Sequence, residues 1–279
     1  MQQPTTIQPP ETSAAVEAPA RRATPPTAQL AIRRDRWGAL HVLSEGPGAR
    51  RTKLARAWHG VREIMAELEA GDADEHRAPA WETGIDWDRR KNRGVAINAD
   101  IYGVDIVHGQ VFGVVQVRRY ERTKYGGNSR KQWLLVGRNE GTRLAFAHPV
   151  NGRAVQNAVN NAPADPSAGV TAARAWIFEV PAARLATIRR HGDVAAIPVS
   201  RLPAGERREI ADAPAGLRLI DSHVLMADEI AEINGRTYAR NPMLQHLAGQ
   251  HADVLGHGWH RIQVGLRADV HPFARPTRD

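Results

Sequence analysis

Cysteine is absent from the 279-residue chain, which removes disulfides, thiolate catalysis and cysteine-based zinc sites from consideration. That absence fits a reducing compartment. No run approaches the roughly 18 consecutive apolar residues that a membrane helix requires. The first residues lack the charged start and apolar run of a signal peptide, and Glu11 and Glu17 argue against a transit peptide. The expected setting is the cytoplasm, away from a membrane. Glycine-rich phosphate loops, a nucleophile elbow and an HExxH motif are also missing. The glycines from Gly103 to Gly113 have the wrong spacing for a dinucleotide fingerprint. Large apolar residues are scarce in residues 1–30, which are rich in Pro, Thr, Ala and Gln. Such a stretch buries too little surface to offset its ordering entropy, and a disordered arm is expected there.

What is present is positive charge. Lys and Arg number 38 against 30 Asp and Glu, a formal net charge of +8, with a pI near 10.5. This balance favours a polyanionic partner, nucleic acid before an anionic membrane surface. The hydrophobic fraction of 42% suits a globular core. Residues 31–279 are read as one domain, with residues 162–170 as a point of subdivision.

An α+β fold is expected: a central antiparallel β-meander flanked by short helices. Residues 30–43 pattern as a short strand pair turning at Trp37-Gly38. Leu54, Trp58, Val61, Met65 and Leu68 make one apolar stripe at helical spacing, with Thr52 as N-cap and Gly71 as stop. An acidic loop with two tryptophans, residues 72–88, follows and ends in the basic run Arg89–Arg93. Strands are expected near 95–101, 104–108, 111–121, 131–137 and 142–147, divided by glycine and asparagine breaks. Asn151 caps a helix over 152–161. A strand over 175–180 and a helix opened by Pro181 come next, then helices over 223–233 and 243–255 and a last strand over 259–268.

The densest charge lies on a predicted hairpin over 114–136. Arg118, Arg119, Arg122, Lys124, Arg130 and Lys131 fall within fourteen residues, against Glu121 alone. Strand alternation puts Gln116, Arg118, Tyr120 and Arg122 on one face, which Lys131 and Trp133 reach in the matching register. Basic groups neutralise phosphates while Tyr120, Tyr125 or Trp133 stack on exposed bases. A two-stranded ribbon of this kind also fits a major groove. The bland alternative is a solvated hairpin whose charge resists edge-to-edge aggregation. Two further basic stretches, Arg89–Arg93 and Arg33–Arg36 with Arg50, Arg51 and Lys53, extend the candidate footprint.

Two rival classes remain. The first is a Mg²⁺-dependent, nuclease-like enzyme centred on Asp105, with Gln116 and Arg118 in the places of a second acid and a lysine. Asp86, Asp88 and Asp100 are its spare acids. Gln supplies only a neutral ligand and Arg does not serve as a base, which weakens that pattern. The second is an assembly protein whose partners are other proteins. No cofactor and no resident metal are expected under the binding reading. The histidines His246, His251, His257, His260 and His271, with Asp253 or Asp269, form a poorly spaced metal set, because His246 and His251 are five apart. Asp228, Glu229 and Glu232 are read as a solvated acidic helix face answered by Arg236 or Arg240.

Overall fold

The computed structural model describes residues 29–71, 81, 83–139, 142–210, 216–220, 223–246 and 252–269. The expected arm at 1–30 lies outside them apart from its last two residues. The described chain is α+β, mostly antiparallel sheet with short helices.

Strands β1 (Leu30–Arg34) and β2 (Leu40–Glu45) form the hairpin expected at Trp37-Gly38. Helix α1 (Lys53–Ala70) follows the apolar stripe. The Thr52 hydroxyl accepts from the Ala55 amide at 3.1 Å, and Gly71 closes the helix in the left-handed conformation at φ 85°.

The centre is a five-stranded meander in sequence order: β3 (Gly84–Asp88), β4 (Arg93–Val107), β5 (Gln110–Thr123), β6 (Gly126–Arg138) and β7 (Ala145–Pro149). The break expected at Tyr102-Gly103 is a bulge inside one long strand, since the β4–β5 register slips between Ile101 and Gly103 without ending the ladder. Gly103 is required there by close approach. A Cβ on it would meet the Gly169 Cα at 3.2 Å and the Val170 nitrogen at 3.1 Å.

Each face of the meander carries a helical layer. On one, Val61, Ile64 and Leu68 of α1 pack with Trp81 on Ile97, Val115, Val117, Leu134 and Val136. On the other lie α2 (Gly152–Asn161), capped by Asn151 as expected, and α3 (Ala168–Ile177). Their Val155, Val159, Val170 and Ile177 cover Tyr102, Phe112, Val114, Leu135 and Phe146. This second core runs on into Ala195 and Ile197, so the C-terminal part shares it.

That C-terminal part departs most from expectation. Residues 175–177 end α3 instead of starting a strand, because the run AGVTAARAWI is apolar nearly all round and its periodicity does not separate helix from strand. Pro181 opens only a 3-10 turn, Ala182–Arg184. Where the residues are described, the helices expected over 223–233 and 243–255 are replaced by strands. They belong to the series β8 (Arg189–His191), β9 (Val194–Pro198), β10 (Arg207–Glu209), β11 (Leu217–Ile220), β12 (His223–Met226), β13 (Glu229–Ile233), β14 (Arg236–Arg240), β15 (Met243–His246), β16 (Ala252–Val254) and β17 (Trp259–Val264). For the first segment Asn234-Gly235 is the reason. Both residues have positive φ, 52° and 69°, the geometry of a two-residue hairpin turn and not of a helix stop. These strands form two antiparallel sheets, ordered β10-β13-β14-β17-β9-β8 and β11-β12-β15-β16.

Candidate nucleic-acid interface

The predicted hairpin forms in the predicted register. Gln116 pairs with Trp133, Arg118 with Lys131, Tyr120 with Ser129 and Arg122 with Gly127. One side of the sheet therefore displays Arg118, Tyr120, Arg122 and Lys131. Arg119 and Arg130, directly opposite one another, fall on the α1 side. The six charges do not act on one surface.

The two sides differ in balance. On the α1 side Arg119, Arg130 and Arg93 share the sheet end with Asp86, Asp88 and Glu121, and Arg119 pairs with Glu121 at 3.4 Å. On the other side stand Arg118, Arg122 and Lys131, and among the described residues of these strands the carboxylate on that side is Asp100, 3.5 Å from Arg118. Only this second side keeps an excess of positive charge. An open groove of about 540 Å³ beside the tip is lined by Arg93, Arg122 and Lys124, with Asp86, Asp88 and Glu121 in equal number. Its mixed charge makes it a poorer seat for a polyanion than the sheet face.

The flanks of the hairpin count against a free two-stranded ribbon reading a groove. At the level of Arg119–Arg122, β5 is paired with β4 through residues 94–97, and β4 is paired there with β3. Four strands span about 14 Å between their outer axes at 4.7–4.9 Å spacing, more than a major groove about 12 Å wide accepts. The hairpin is part of a sheet face, not a free arm.

Sequence reasoning missed two residues of this face. Ile85 and Trp87 project from β3 on the side of Tyr120, and the Trp87 and Tyr120 rings stack with centroids 6.1 Å apart and planes 17° from parallel. Ile85 is 73% exposed and Tyr120 37%. Between the aromatic pair, β4 offers only Gly94 and Ala96. The alternation Ile85-Asp86-Trp87-Asp88 was the available signal, read instead as the end of an acidic loop.

The remaining candidates divide by local packing. Tyr125 is 87% exposed at the tip, with the Lys124 ammonium 4.8 Å from its ring centroid. Trp133 is half-buried. Its ring meets the edge of Tyr102 at 4.5 Å, and a Cβ at Gly152 would approach it to 2.2 Å, so the start of α2 lies against it. Tyr102 is itself buried. Burial, then the charges of Asp100 and Asp35, push its phenol up to about 12, against a smaller opposing effect of Arg118. It remains a neutral donor facing Gln116 Oε1 at 3.5 Å.

The basic run Arg89–Arg93 joins the hairpin tip, because Gly94 pairs with Arg122 and the β3–β4 turn lies at the same sheet end. Asp88 orders this turn by accepting from the Lys91 amide at 3.2 Å and the Arg90 amide at 3.0 Å. The Lys91 bond foremost, against an opposing desolvation effect and then with the Arg90 amide and the charges of Lys91 and Arg93, holds its carboxyl below the ordinary range. Of the other basic stretch, two members are engaged elsewhere. Arg34 donates to the carbonyls of Gly38, Tyr102, Pro163 and Asp165, and Lys53 pairs with Asp105 at 2.8 Å.

That last pair bears on the enzyme reading. Asp105 sits opposite Phe112, four residues along β5 from Gln116, about 14 Å at strand rise. The acid opposite Gln116 is Asp100. Asp105, Gln116 and Arg118 are therefore not brought together. His251 and His271 lie outside the described residues. His246 pairs in register with His223, His257 is exposed, and buried His260 faces the Gly258 carbonyl at 3.0 Å through Nδ1. Among the described residues no group of three or more histidines and acids is placed to hold a metal ion. Glu229 is answered by Arg240 at 2.7 Å, as expected, and by Arg207 at 2.8 Å, but from a strand.

Among the described residues no helix is long and apolar enough to cross a membrane. Comparison with protein-family models, curated proteins and solved structures finds no match to this chain.

Proposed function

We propose that this protein binds nucleic acid on the sheet face built by Arg118, Tyr120, Arg122 and Lys131, acting in the cytoplasm without a cofactor. The observation that carries the proposal is the uneven charge of the two sheet faces. Three cations answered by Asp100 surround an exposed aromatic surface on one side, whereas the other side is balanced. Cations neutralise phosphates and release their counterions, and the ring faces supply apolar contact that is indifferent to salt. Arg89, Arg90 and Lys91 on the neighbouring turn lengthen the footprint, and Lys124 and Tyr125 mark its end.

A salt titration of binding to a labelled oligonucleotide tests this. Log affinity is expected to fall linearly with log salt. Replacing Arg118, Arg122 and Lys131 together with Ala is expected to lower the slope by roughly 2–3, the share of three phosphate contacts. Replacing Arg119 and Arg130 instead is expected to leave most of the slope in place. Affinity that ignores salt, or equal losses from the two sets, would refute the assignment.

A further inference from the structure

We infer that the nucleic acid bound by this face is single-stranded, with an unpaired base stacked on the Trp87–Tyr120 pair. The inference rests on the nucleic-acid reading of the face and adds the state of the ligand and a residue, Trp87, that the charge pattern does not reveal.

Three observations lead to it. The first is the width of the sheet. With β3 and β4 alongside the hairpin at Arg119–Arg122, the face there is broader than a major groove, which disfavours reading of duplex base edges. The second is the ring pair itself. Trp87 and Tyr120 come from strands separated by β4, and their near-parallel rings at 6.1 Å meet over Gly94 and Ala96. Gly127, opposite Arg122, leaves room for the ring: a Cβ on it would come within 2.8 Å of the Tyr120 hydroxyl, and Tyr120 stays 37% exposed. A base inside a duplex offers no free π-face, whereas an unpaired base does.

The third observation is the placement of charge around the rings. Tyr120 lies between Arg118 and Arg122 on the same face of β5, and Lys131 stands across from Arg118. A strand whose base lies on the rings thus has cations on both sides of that base. With Ile85 exposed beside Trp87, the apolar surface extends beyond a single ring. This combination of a stacking surface and flanking cations suits a flexible single strand of DNA or RNA and tolerates many sequences.

The test uses the full chain and four fluorescein-labelled 20-mers: oligo-dT, oligo-U, a DNA duplex and an RNA duplex, with affinities read by fluorescence anisotropy. At least one single strand is expected to bind about tenfold or more tightly than its duplex. Trp87→Leu, which keeps apolar bulk at the site, is expected to weaken that binding by roughly 5- to 100-fold, as loss of one base stack does. Its salt slope should stay unchanged, and Trp87→Phe should restore most of the affinity. Equal binding of duplex and single strand, or no response to Trp87→Leu in a folded variant, overturns this inference while leaving the charged face in place. If none of the four probes binds, the nucleic-acid reading falls with it. The two single strands report whether DNA or RNA is preferred.

Discussion

The rings of Trp87 and Tyr120 stack at 6.1 Å although β3 and β5 are not neighbouring strands. The contact exists because the strand between them presents only glycine and alanine, Gly94 and Ala96, at that level. A half-buried Trp87 is thereby set against an exposed Tyr120, bordered by Arg118 and Arg122.

Small residues around the rings hold them in position. At Gly127 a Cβ would come 2.8 Å from the Tyr120 hydroxyl. Gly127→Ala is therefore expected to displace the ring and weaken oligonucleotide binding by about fivefold, on the order of one partial stack. The melting temperature should change little, since the position is exposed. Anisotropy titration beside a thermal melt checks both parts.

Among the described residues none answers the charge of Arg174 with a hydrogen bond. It is 8% exposed, its Nε is buried without a partner, and its guanidinium lies 5.6 Å from the Phe112 ring centroid. Burial, then the like charge of Arg190, push its pKa down to about 10, with Asp105 opposing. Arg174→Met keeps the length and removes the charge. It is expected to raise stability in urea at pH 7 by about 1–3 kcal/mol. In the wild type the unfolded chain holds this proton more tightly than the folded one. The variant's advantage should therefore shrink as pH rises above about 10.

Asp35 closes the β1–β2 turn by accepting from the amides of Trp37 at 2.8 Å and Ala39 at 3.0 Å and pairing with His41 at 3.2 Å. Partial burial raises its pKa, but the His41 bond and the two amides together outweigh that and leave it lowered. Because the folded value lies below the unfolded one, the stabilisation is present above the unfolded pKa, about 3.9, and is lost as pH falls through the folded value. Wild type is expected to melt above Asp35→Asn at pH 6, with the difference vanishing at the acid end. Paired thermal melts between pH 2.5 and 6 measure it.

The α1 layer separates two magnitudes. Leu68 is 1% exposed against Trp81 and the meander, so Leu68→Ala is expected to cost about 2–5 kcal/mol. Thr52→Ala removes one capping hydrogen bond and is expected to cost about 1 kcal/mol. Urea denaturation of both variants gives the comparison, and a smaller loss at Leu68 than at Thr52 would contradict the packing described.

How far the chain was legible depends on which interactions decide each element. Helix α1 was readable because Thr52, the apolar stripe and Gly71 are all local signals. The hairpin was readable for the same reason, its turn and alternation lying within 23 residues of sequence. The segments 223–233 and 243–255 were not. Their apolar positions fit a helix as well as a strand, and pairing settles them: β13 with β14 across the Asn234-Gly235 turn, and β12 with β15 and β13 with β10 over longer separations. Likewise Asp105 looked like a neighbour of Gln116 and Arg118 until the β4–β5 register placed Phe112 opposite it.

By itself the sequence determined the composition-level facts: no thiol chemistry, an excess of positive charge, and a hairpin whose alternation assigns Arg118, Tyr120 and Arg122 to one side. Those follow from residue identity and the two-residue period of a strand. Only the tertiary structure decided which charges remain unbalanced, because Asp86, Asp88 and Glu121 had to be placed on the α1 side and Asp100 on the other. It also decided that the hairpin is the middle of a broad sheet and that Trp87 joins Tyr120. Both depend on strand pairing between segments distant in sequence, where register is set by burial of the whole face rather than by any local residue.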